Sequence, residues 1–193
     1  MVRIAERSNL SPQEFLAWER LQPTKHEYFH GEVFAMAGGS PRHNALCASV
    51  LTALRSALGD GSCNLFTSDQ RVSMDRGERY VYPDITVVCG DVSLQEGTTD
   101  VVANPTILVE VLSSSTEQYD RGLKWEGYQR LPSLTDYVLV SQREPRIEHF
   151  RRESSGSWVY RSAVSGGRVT LSNGATLDID AVFDRLLELP GDA

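Results

Sequence analysis

Two apolar runs that each contain one carboxylate constrain the fold of this chain more than any other feature. Residues 82–89 (YPDITVVC) and 105–112 (PTILVEVL) have the apolar character of interior strands. Ionised carboxylates are among the groups least often buried, and a desolvated charge needs a partner or a metal. If the two strands are neighbours in one sheet, the carboxylates of Asp84 and Glu110 converge.

A helix predicted over residues 116–131 follows the second run and carries a row of polar side chains. Thr116, Asp120, Lys124 and Tyr128 are four residues apart, so they share one helix face. By itself, this row is typical of a capping threonine and an Asp120–Lys124 surface pair. If it faces a cleft, it holds Lys124 over the two carboxylates. Converging carboxylates with a nearby ammonium are what a Mg²⁺-dependent phosphodiesterase requires.

Length and composition are those of an ordinary globular chain. With 193 residues, 40% hydrophobic and 23% charged, we expect one domain over residues 1–193. The sequence contains no run of 18 apolar residues and no apolar stretch at its start that resembles a signal peptide. We therefore expect a cytoplasmic protein with no membrane partner.

The three cysteines also favour a cytoplasmic location. Cys47, Cys63 and Cys89 are odd in number and widely spaced, which fits neither a disulfide framework nor a zinc site. Free thiols are typical of a reducing cytoplasm. Within their apolar surroundings, Cys47 and Cys89 are interpreted as small core residues.

The order of the predicted elements indicates an α+β or mixed α/β fold with one central sheet flanked by helices. The first helix begins at Pro12, after a capping serine, and a hairpin turns near Gly31. A second helix runs from Pro41 to a C-terminal cap at Gly59. Several strands and the helix over residues 116–131 follow, and Asp180 is expected to cap a final helix.

A set of motifs occurs in a specific order along the chain. The set comprises Gly31-Glu32-Val33, Gly38-Gly39-Ser40-Pro41 with His43, Pro83-Asp84, Pro105, and Glu110-Val111-Leu112-Ser113 with Thr116, Asp120, Lys124 and Tyr128. At these spacings it resembles the Uma-type restriction-endonuclease-like family, a branch of the PD-(D/E)XK nuclease superfamily, over residues 26–150. The resemblance implies a restriction-endonuclease-like core with a central mixed sheet, and a metal site built on two adjacent strands.

The resemblance also implies roles for individual residues. Asp84 and Glu110 would bind Mg²⁺ or Mn²⁺, and the carbonyl of Val111 would be a further metal ligand. The third motif position, two residues after Glu110, is Leu112 instead of the lysine found in the wider superfamily. Lys124 on the following helix would therefore supply the catalytic amine.

Two other polar residues receive different interpretations. Glu32, on the first hairpin, is a candidate for an additional acidic residue of the catalytic site. His43, in the first turns of the second helix, is interpreted as a structural hydrogen-bonding group, because a lone histidine is more often that than a metal ligand.

Three functions remain open from the sequence. They are a metal-dependent endonuclease acting on DNA, a non-catalytic module of the same fold, and a metal-dependent hydrolase of another phosphodiester. The joint occurrence of Asp84, Glu110 and Lys124 favours the first. A net charge of −7 keeps the third open, because Lys and Arg drive binding to nucleic acid. Cutting both strands of a duplex would favour a twofold homodimer.

Overall fold

Residues 5–192, which the computed structural model describes, form two mixed β-sheets, a two-stranded sheet and short helices. The strands are β1 (His26–Phe29), β2 (Glu32–Ala35), β3 (Cys63–Thr67), β4 (Arg71–Met74), β5 (Arg79–Val81), β6 (Ile85–Cys89), β7 (Val101–Val102), β8 (Ile107–Val111), β9 (Asp136–Val140), β10 (Arg146–Arg152), β11 (Trp158–Val164), β12 (Arg168–Thr170) and β13 (Thr176–Asp178).

The helices lie between these strands and at both ends of the described chain. They are α1 (Pro12–Glu19), α2 (Pro41–Leu58), α3 (Glu117–Tyr119), α4 (Trp125–Tyr128) and α5 (Ile179–Phe183). A π-helix over Asp120–Lys124 joins α3 to α4, and we call residues 117–128 the composite helix. No helix within residues 5–192 combines the length and the apolar character that crossing a membrane requires.

The strands divide into two larger sheets, which corrects the expectation of one central sheet. The six-stranded sheet has the order β11-β10-β9-β8-β6-β3, and the five-stranded sheet has the order β2-β1-β5-β4-β7. The first hairpin pairs with β5 through Tyr28 and Tyr80, far apart in sequence. Hydrophobic periodicity predicts strands but not such distant pairings. The mixed α+β class, with sheets flanked by helices, is confirmed.

The register of the six-stranded sheet brings the two predicted carboxylates together. Strands β6 and β8 are antiparallel, and Ile85 is opposite Val109. One residue further along this register, Asp84 is opposite Glu110. The segment carrying Asp84, just before β6, and the strand carrying Glu110 are therefore neighbours, as the family resemblance implies.

Alternation along β8 directs Glu110 toward the composite helix. Ile107, Val109 and Val111 face a core that includes α2 and α5. Leu108 and Leu112 face a second core that includes residues of the composite helix. Because successive side chains of a strand point to opposite faces, Glu110 shares the second face.

The ends of the helices follow the predicted caps with one exception. Ser11 and Glu14 form a capping box at α1, and the Ser40 hydroxyl accepts a hydrogen bond from the backbone N–H of His43 at α2. At α5 the cap is Asp178, which accepts from the N–H of Ala181, instead of the predicted Asp180. The first helical residue therefore lies two positions earlier than the sequence suggested.

The cysteine expectation is wrong for two of the three residues. Cys63 and Cys89 form a disulfide, while Cys47 keeps a free thiol. The antiparallel pairing of β3 with β6 places Cys63 directly opposite Cys89, with their Cα atoms 3.9 Å apart. The spacing of cysteines along the chain contains no information about this register.

A buried aspartate stabilises the junction between β9, β10 and the β12–β13 hairpin. Asp136 is fully buried, and its carboxylate lies 2.7 Å from His149 Nε2 and accepts a 2.9 Å hydrogen bond from the N–H of Ser172. Burial acts to raise the pKa of Asp136, but the hydrogen bonds from His149, Ser172 and Thr135 hold it below its ordinary value. The ionised form is therefore stabilised by folding.

We expect Asp136→Asn to lower the free energy of unfolding by about 1–3 kcal/mol at neutral pH, since charge-assisted hydrogen bonds are lost. A carboxylate whose pKa is lower in the folded state stabilises above its unfolded pKa, and this stabilisation disappears as pH falls through the folded pKa. The difference between wild type and variant should therefore shrink in acid, as measured by urea unfolding across pH. The exposed Asp60, changed to Asn, is the control. If the difference in unfolding free energy between wild type and Asp136→Asn does not change with pH, this interpretation is contradicted.

Candidate active site

A cavity of about 420 Å³ lies where the first hairpin, the start of α2, the end of β8 and the composite helix meet. Asp84, Glu110 and Lys124 all line it, so the structure brings these three predicted residues together. Glu27 of β1 lines the same cavity. Glu32 does not, although the sequence suggested it as the additional acidic residue.

Lys124 is the centre of a buried ionic cluster in this cavity. Its ammonium nitrogen lies 3.0 Å from Glu110 Oε1, 3.2 Å from Glu27 Oε1 and 3.2 Å from Asp120 Oδ1. The lysine side chain is 6% exposed, and the three carboxylate side chains are 3–4% exposed. The interpretation of Asp120 and Lys124 as a surface pair is therefore wrong, because the composite helix packs this face inward.

The cluster contains more negative charge than its single ammonium balances. Burial raises the pKa of Glu110 well above its ordinary value, against the opposing effect of Lys124, and the charge of Asp120 raises it further. Burial likewise raises the pKa of Asp120. For Lys124, burial acts to lower the pKa, but the surrounding carboxylates hold it well above its ordinary value. The surrounding carboxylates therefore favour the charged form of Lys124, while burial makes the ionised forms of Glu110 and Asp120 harder to keep than those of exposed carboxyl groups.

Tyr128 fixes the orientation of Glu110. Its hydroxyl donates a 2.8 Å hydrogen bond to Glu110 Oε1, the same oxygen that accepts from Lys124. The polar row predicted on the helix is therefore directed at the strand carboxylate. The row is not purely α-helical, because Asp120–Lys124 form a π-helix. Single π-turns inside helices are frequent at functional sites.

Asp84 lies beside the buried cluster and has its own partners. Its Oδ2 accepts a 2.7 Å hydrogen bond from the backbone N–H of Val111, which joins the end of β8 to the loop before β6. His43 Nε2 lies 3.4 Å from the same oxygen. Val111, predicted to offer its carbonyl to a metal, is thus adjacent to Asp84. Asp84 and Glu110 belong to one site, and His43 lies next to Asp84.

His43 is more closely connected to the site than the sequence indicated. Its Nδ1 lies 3.6 Å from Cys47 Sγ, one helical turn further along α2. Burial acts to lower the pKa of His43, but hydrogen bonding with Asp84 and Cys47 raises it to about 11. The imidazole therefore makes the expected kind of hydrogen bond, and its carboxylate partner is a predicted catalytic residue.

Glu27 is the site residue that sequence reasoning missed. A signal for it existed. Glu27 lies within a short strand whose residues are mostly buried. Glu110 likewise lies within a buried strand, and Asp84 lies beside one. Glu32 sits at the opposite end of the hairpin, opposite Phe29, and is exposed. The turn at Gly31, which has a φ of 94°, reverses the chain between the two glutamates.

One family model and two relatives match most of the chain. Residues 12–186 match the family model Uma2, described as "Putative restriction endonuclease". The chain is 35% identical over 175 residues to the uncharacterized protein slr1290 of Synechocystis sp., covering 90% of this chain and 91% of that protein. It is 31% identical over 159 residues to the uncharacterized protein sll1609 of the same organism, covering 82% and 90%.

A solved structure shares the fold at lower sequence similarity. It is described as a "putative nuclease belonging to DUF820" from Anabaena variabilis, and it superposes with a TM-score of 0.73 at 17% identity. The match covers 92% of this chain and 99% of that one. The arrangement of sheets and helices is therefore shared across nearly the whole of both proteins.

We expect Lys124→Met to lower the free energy of unfolding by about 3–5 kcal/mol, because three buried carboxylates lose the ammonium that they share. Adding Glu110→Gln should reduce this cost, since it removes one of those charges. The test is a double-mutant cycle measured by urea unfolding. As a matched control, Lys25→Met removes an ammonium paired with the exposed Asp69 and should cost about 0–1 kcal/mol. Equal losses of unfolding free energy in Lys124→Met and Lys25→Met would contradict the proposed coupling within the cluster. Strictly additive effects of Lys124→Met and Glu110→Gln would also contradict it.

Proposed function

The chain belongs to the Uma2 restriction-endonuclease-like family, and from this membership we propose that it is a metal-dependent endonuclease that hydrolyses DNA phosphodiester bonds. The observation that carries the proposal is the convergence of Asp84, Glu110 and the buried Lys124 in one cavity. Family membership supports a nuclease in general. The metal, the DNA substrate and the residue roles below are our inference.

The chemistry of the donor set fits a hard divalent cation such as Mg²⁺ or Mn²⁺. The candidate ligands are the carboxylates of Asp84 and Glu110 and the carbonyl of Val111, all of them oxygen donors of the kind that Mg²⁺ prefers. Burial, with a smaller contribution from neighbouring carboxylates, raises the pKa values of Glu110 and Asp120, and a bound cation would stabilise their charged forms. When bound, such a cation would lower the pKa of a water molecule and offset charge on the phosphate.

Lys124 would stabilise the negative charge that develops on the phosphate as the bond breaks. Its raised pKa favours this role over that of a general base, because the ammonium keeps its proton near neutral pH. Glu27 and Asp120 hold the ammonium from two sides, so its position does not depend on substrate. Preorganised charge of this kind requires little rearrangement during the reaction.

Two hydrogen bonds would orient the carboxylates that face the substrate. The Tyr128 hydroxyl fixes Oε1 of Glu110, and the N–H of Val111 fixes Oδ2 of Asp84. Both donors belong to rigid elements, the composite helix and the end of β8. The oxygens are therefore held in place before substrate arrives, which is a general requirement for a metal-assisted hydrolase.

The acidity of the chain favours one alternative, a metal-dependent hydrolase of a smaller phosphodiester. The net charge is −7, and six carboxylates line the cavity together with one lysine and one histidine. Affinity for long nucleic acid depends on many phosphate contacts and falls steeply with salt. DNA binding that weakens strongly with salt would support the endonuclease, while salt-independent hydrolysis of a small diester would favour this alternative.

We expect the protein to nick supercoiled plasmid DNA in the presence of Mg²⁺ or Mn²⁺ and to lose this activity when the metal is chelated. Asp84→Asn and Glu110→Gln should each reduce cleavage to background, because each removes a charged metal ligand while keeping the side-chain shape. Gel analysis of plasmid topology is the measurement, with circular dichroism to verify folding. Cleavage at the wild-type rate in either folded variant would exclude the assigned site.

The two glutamates of the first hairpin provide a further comparison. Glu27→Gln should lower the cleavage rate, because Glu27 holds Lys124, whereas Glu32→Gln should leave the rate within about twofold of wild type, the range typical of an exposed position. The sequence-based assignment predicts the opposite result. Initial rates on the same plasmid, at saturating metal, distinguish the two glutamates. A larger loss of cleavage rate in Glu32→Gln than in Glu27→Gln would support the sequence-based assignment of Glu32 to the catalytic site.

A further inference from the structure

A second group of metal-binding side chains lies next to the carboxylate site. His43, Cys47 and Asp84 each offer one ligand atom, and these atoms lie within 4.8 Å of one another. His43 and Cys47 are four residues apart on α2, so they share one helix face, and Asp84 approaches from the start of β6. Helix and strand thus present three different donors to one point.

The donor types differ from those of the magnesium site. An imidazole nitrogen, a thiolate sulfur and a carboxylate oxygen are the three kinds of ligand that Zn²⁺ accepts, and three protein ligands leave a fourth position for water. Mg²⁺, in contrast, takes oxygen ligands. A thiolate therefore selects a softer cation than the pair Asp84 and Glu110 would.

The ligand atoms are close enough for one ion to draw them together. Cys47 Sγ lies 3.6 Å from His43 Nδ1, and Asp84 Oδ2 lies 3.4 Å from His43 Nε2. Metal–ligand bonds of about 2.0–2.3 Å at tetrahedral angles place neighbouring ligand atoms roughly 3.3–3.6 Å apart. Because the two contacts use opposite ring nitrogens, a common centre requires the side chains to move until one nitrogen faces both other ligands, starting from separations within 4.8 Å.

The surroundings leave room for an ion and give access to solvent. The His43 ring packs closely against Gly39, where a Cβ atom would lie 2.6 Å from Nδ1, so this position requires glycine. His43 and Asp84 both line the cavity of about 420 Å³. An ion held here could therefore keep a water ligand on its open side.

We propose that His43, Cys47 and Asp84 form a binding site for a thiophilic divalent cation of the Zn²⁺ class. Binding transfers the thiol proton of Cys47, and any proton on the ligating imidazole nitrogen, to solvent and replaces the Asp84–His43 hydrogen bond with two metal–ligand bonds. Because Asp84 also belongs to the proposed magnesium site, occupation by Zn²⁺ would withhold a ligand from it. This last consequence, inhibition of cleavage by Zn²⁺, rests on the proposed function.

Co²⁺ is the probe for the site, because a thiolate bound to Co²⁺ produces a charge-transfer band in the near ultraviolet. We expect wild type to show this band and Zn²⁺ to abolish it by displacement. Cys47→Ser should lose the band, and His43→Ala should weaken Co²⁺ binding. The double variant Cys63→Ala/Cys89→Ala, which retains Cys47, should keep the band. Absence of the band in wild type, or its persistence in Cys47→Ser, would overturn the proposal.

Two further measurements separate this site from the magnesium site and from unfolding. Near-ultraviolet circular dichroism establishes that Cys47→Ser is folded, and Cys47→Ala repeats the test with a smaller side chain. Mn²⁺ should still bind Cys47→Ser, because Cys47 is not a ligand of the oxygen site. If wild type shows the cobalt band but binds no Mn²⁺, the proposed nuclease site fails and the present proposal stands. If Mn²⁺ binds but the band is absent, the reverse holds.

Discussion

The ammonium of Lys124, buried among Glu27, Glu110 and Asp120, is the interaction on which the rest of the site depends. Each carboxylate comes from a different element: β1 of the five-stranded sheet, β8 of the six-stranded sheet, and the composite helix. A buried lysine without counter-ions would be costly, and buried carboxylates without a cation equally so. The cluster therefore ties the two sheets and the helix to one another at the floor of the cavity.

The geometry of the six-stranded sheet delivers the remaining parts of the site. The antiparallel register of β6 and β8 sets Asp84 opposite Glu110, and alternation along β8 separates Glu110 from the core residues beneath it. Leu112, two residues after Glu110, is buried in the apolar core. Lys124 on the composite helix reaches Glu110 from above the sheet. The amine and the carboxylate thus meet although they come from different elements.

The sequence was sufficient for the local elements that carry the site. Apolar runs interrupted by Asp84 and Glu110 predicted two strands, and a four-residue spacing predicted the row that carries Lys124. That the strands are adjacent and that Lys124 faces them was implied by the family resemblance. Glu32, at a turn, was named as a candidate and Glu27, within a buried strand, was missed, because pairing of β1 with distant β5 is not readable from the hairpin alone. The strand register that joins Cys63 to Cys89 and the division into two sheets are also long-range, and no periodicity encodes them.

Calorimetric titration of Mn²⁺ into wild type and Asp84→Ala tests the central claim most directly, since it requires no assumption about substrate. The claim is that the converging carboxylates form a site for a divalent cation. The account predicts binding to wild type and its loss in a folded Asp84→Ala variant, because Asp84 is one of two charged ligands. Equal binding to both proteins, or no binding to wild type, would contradict the account.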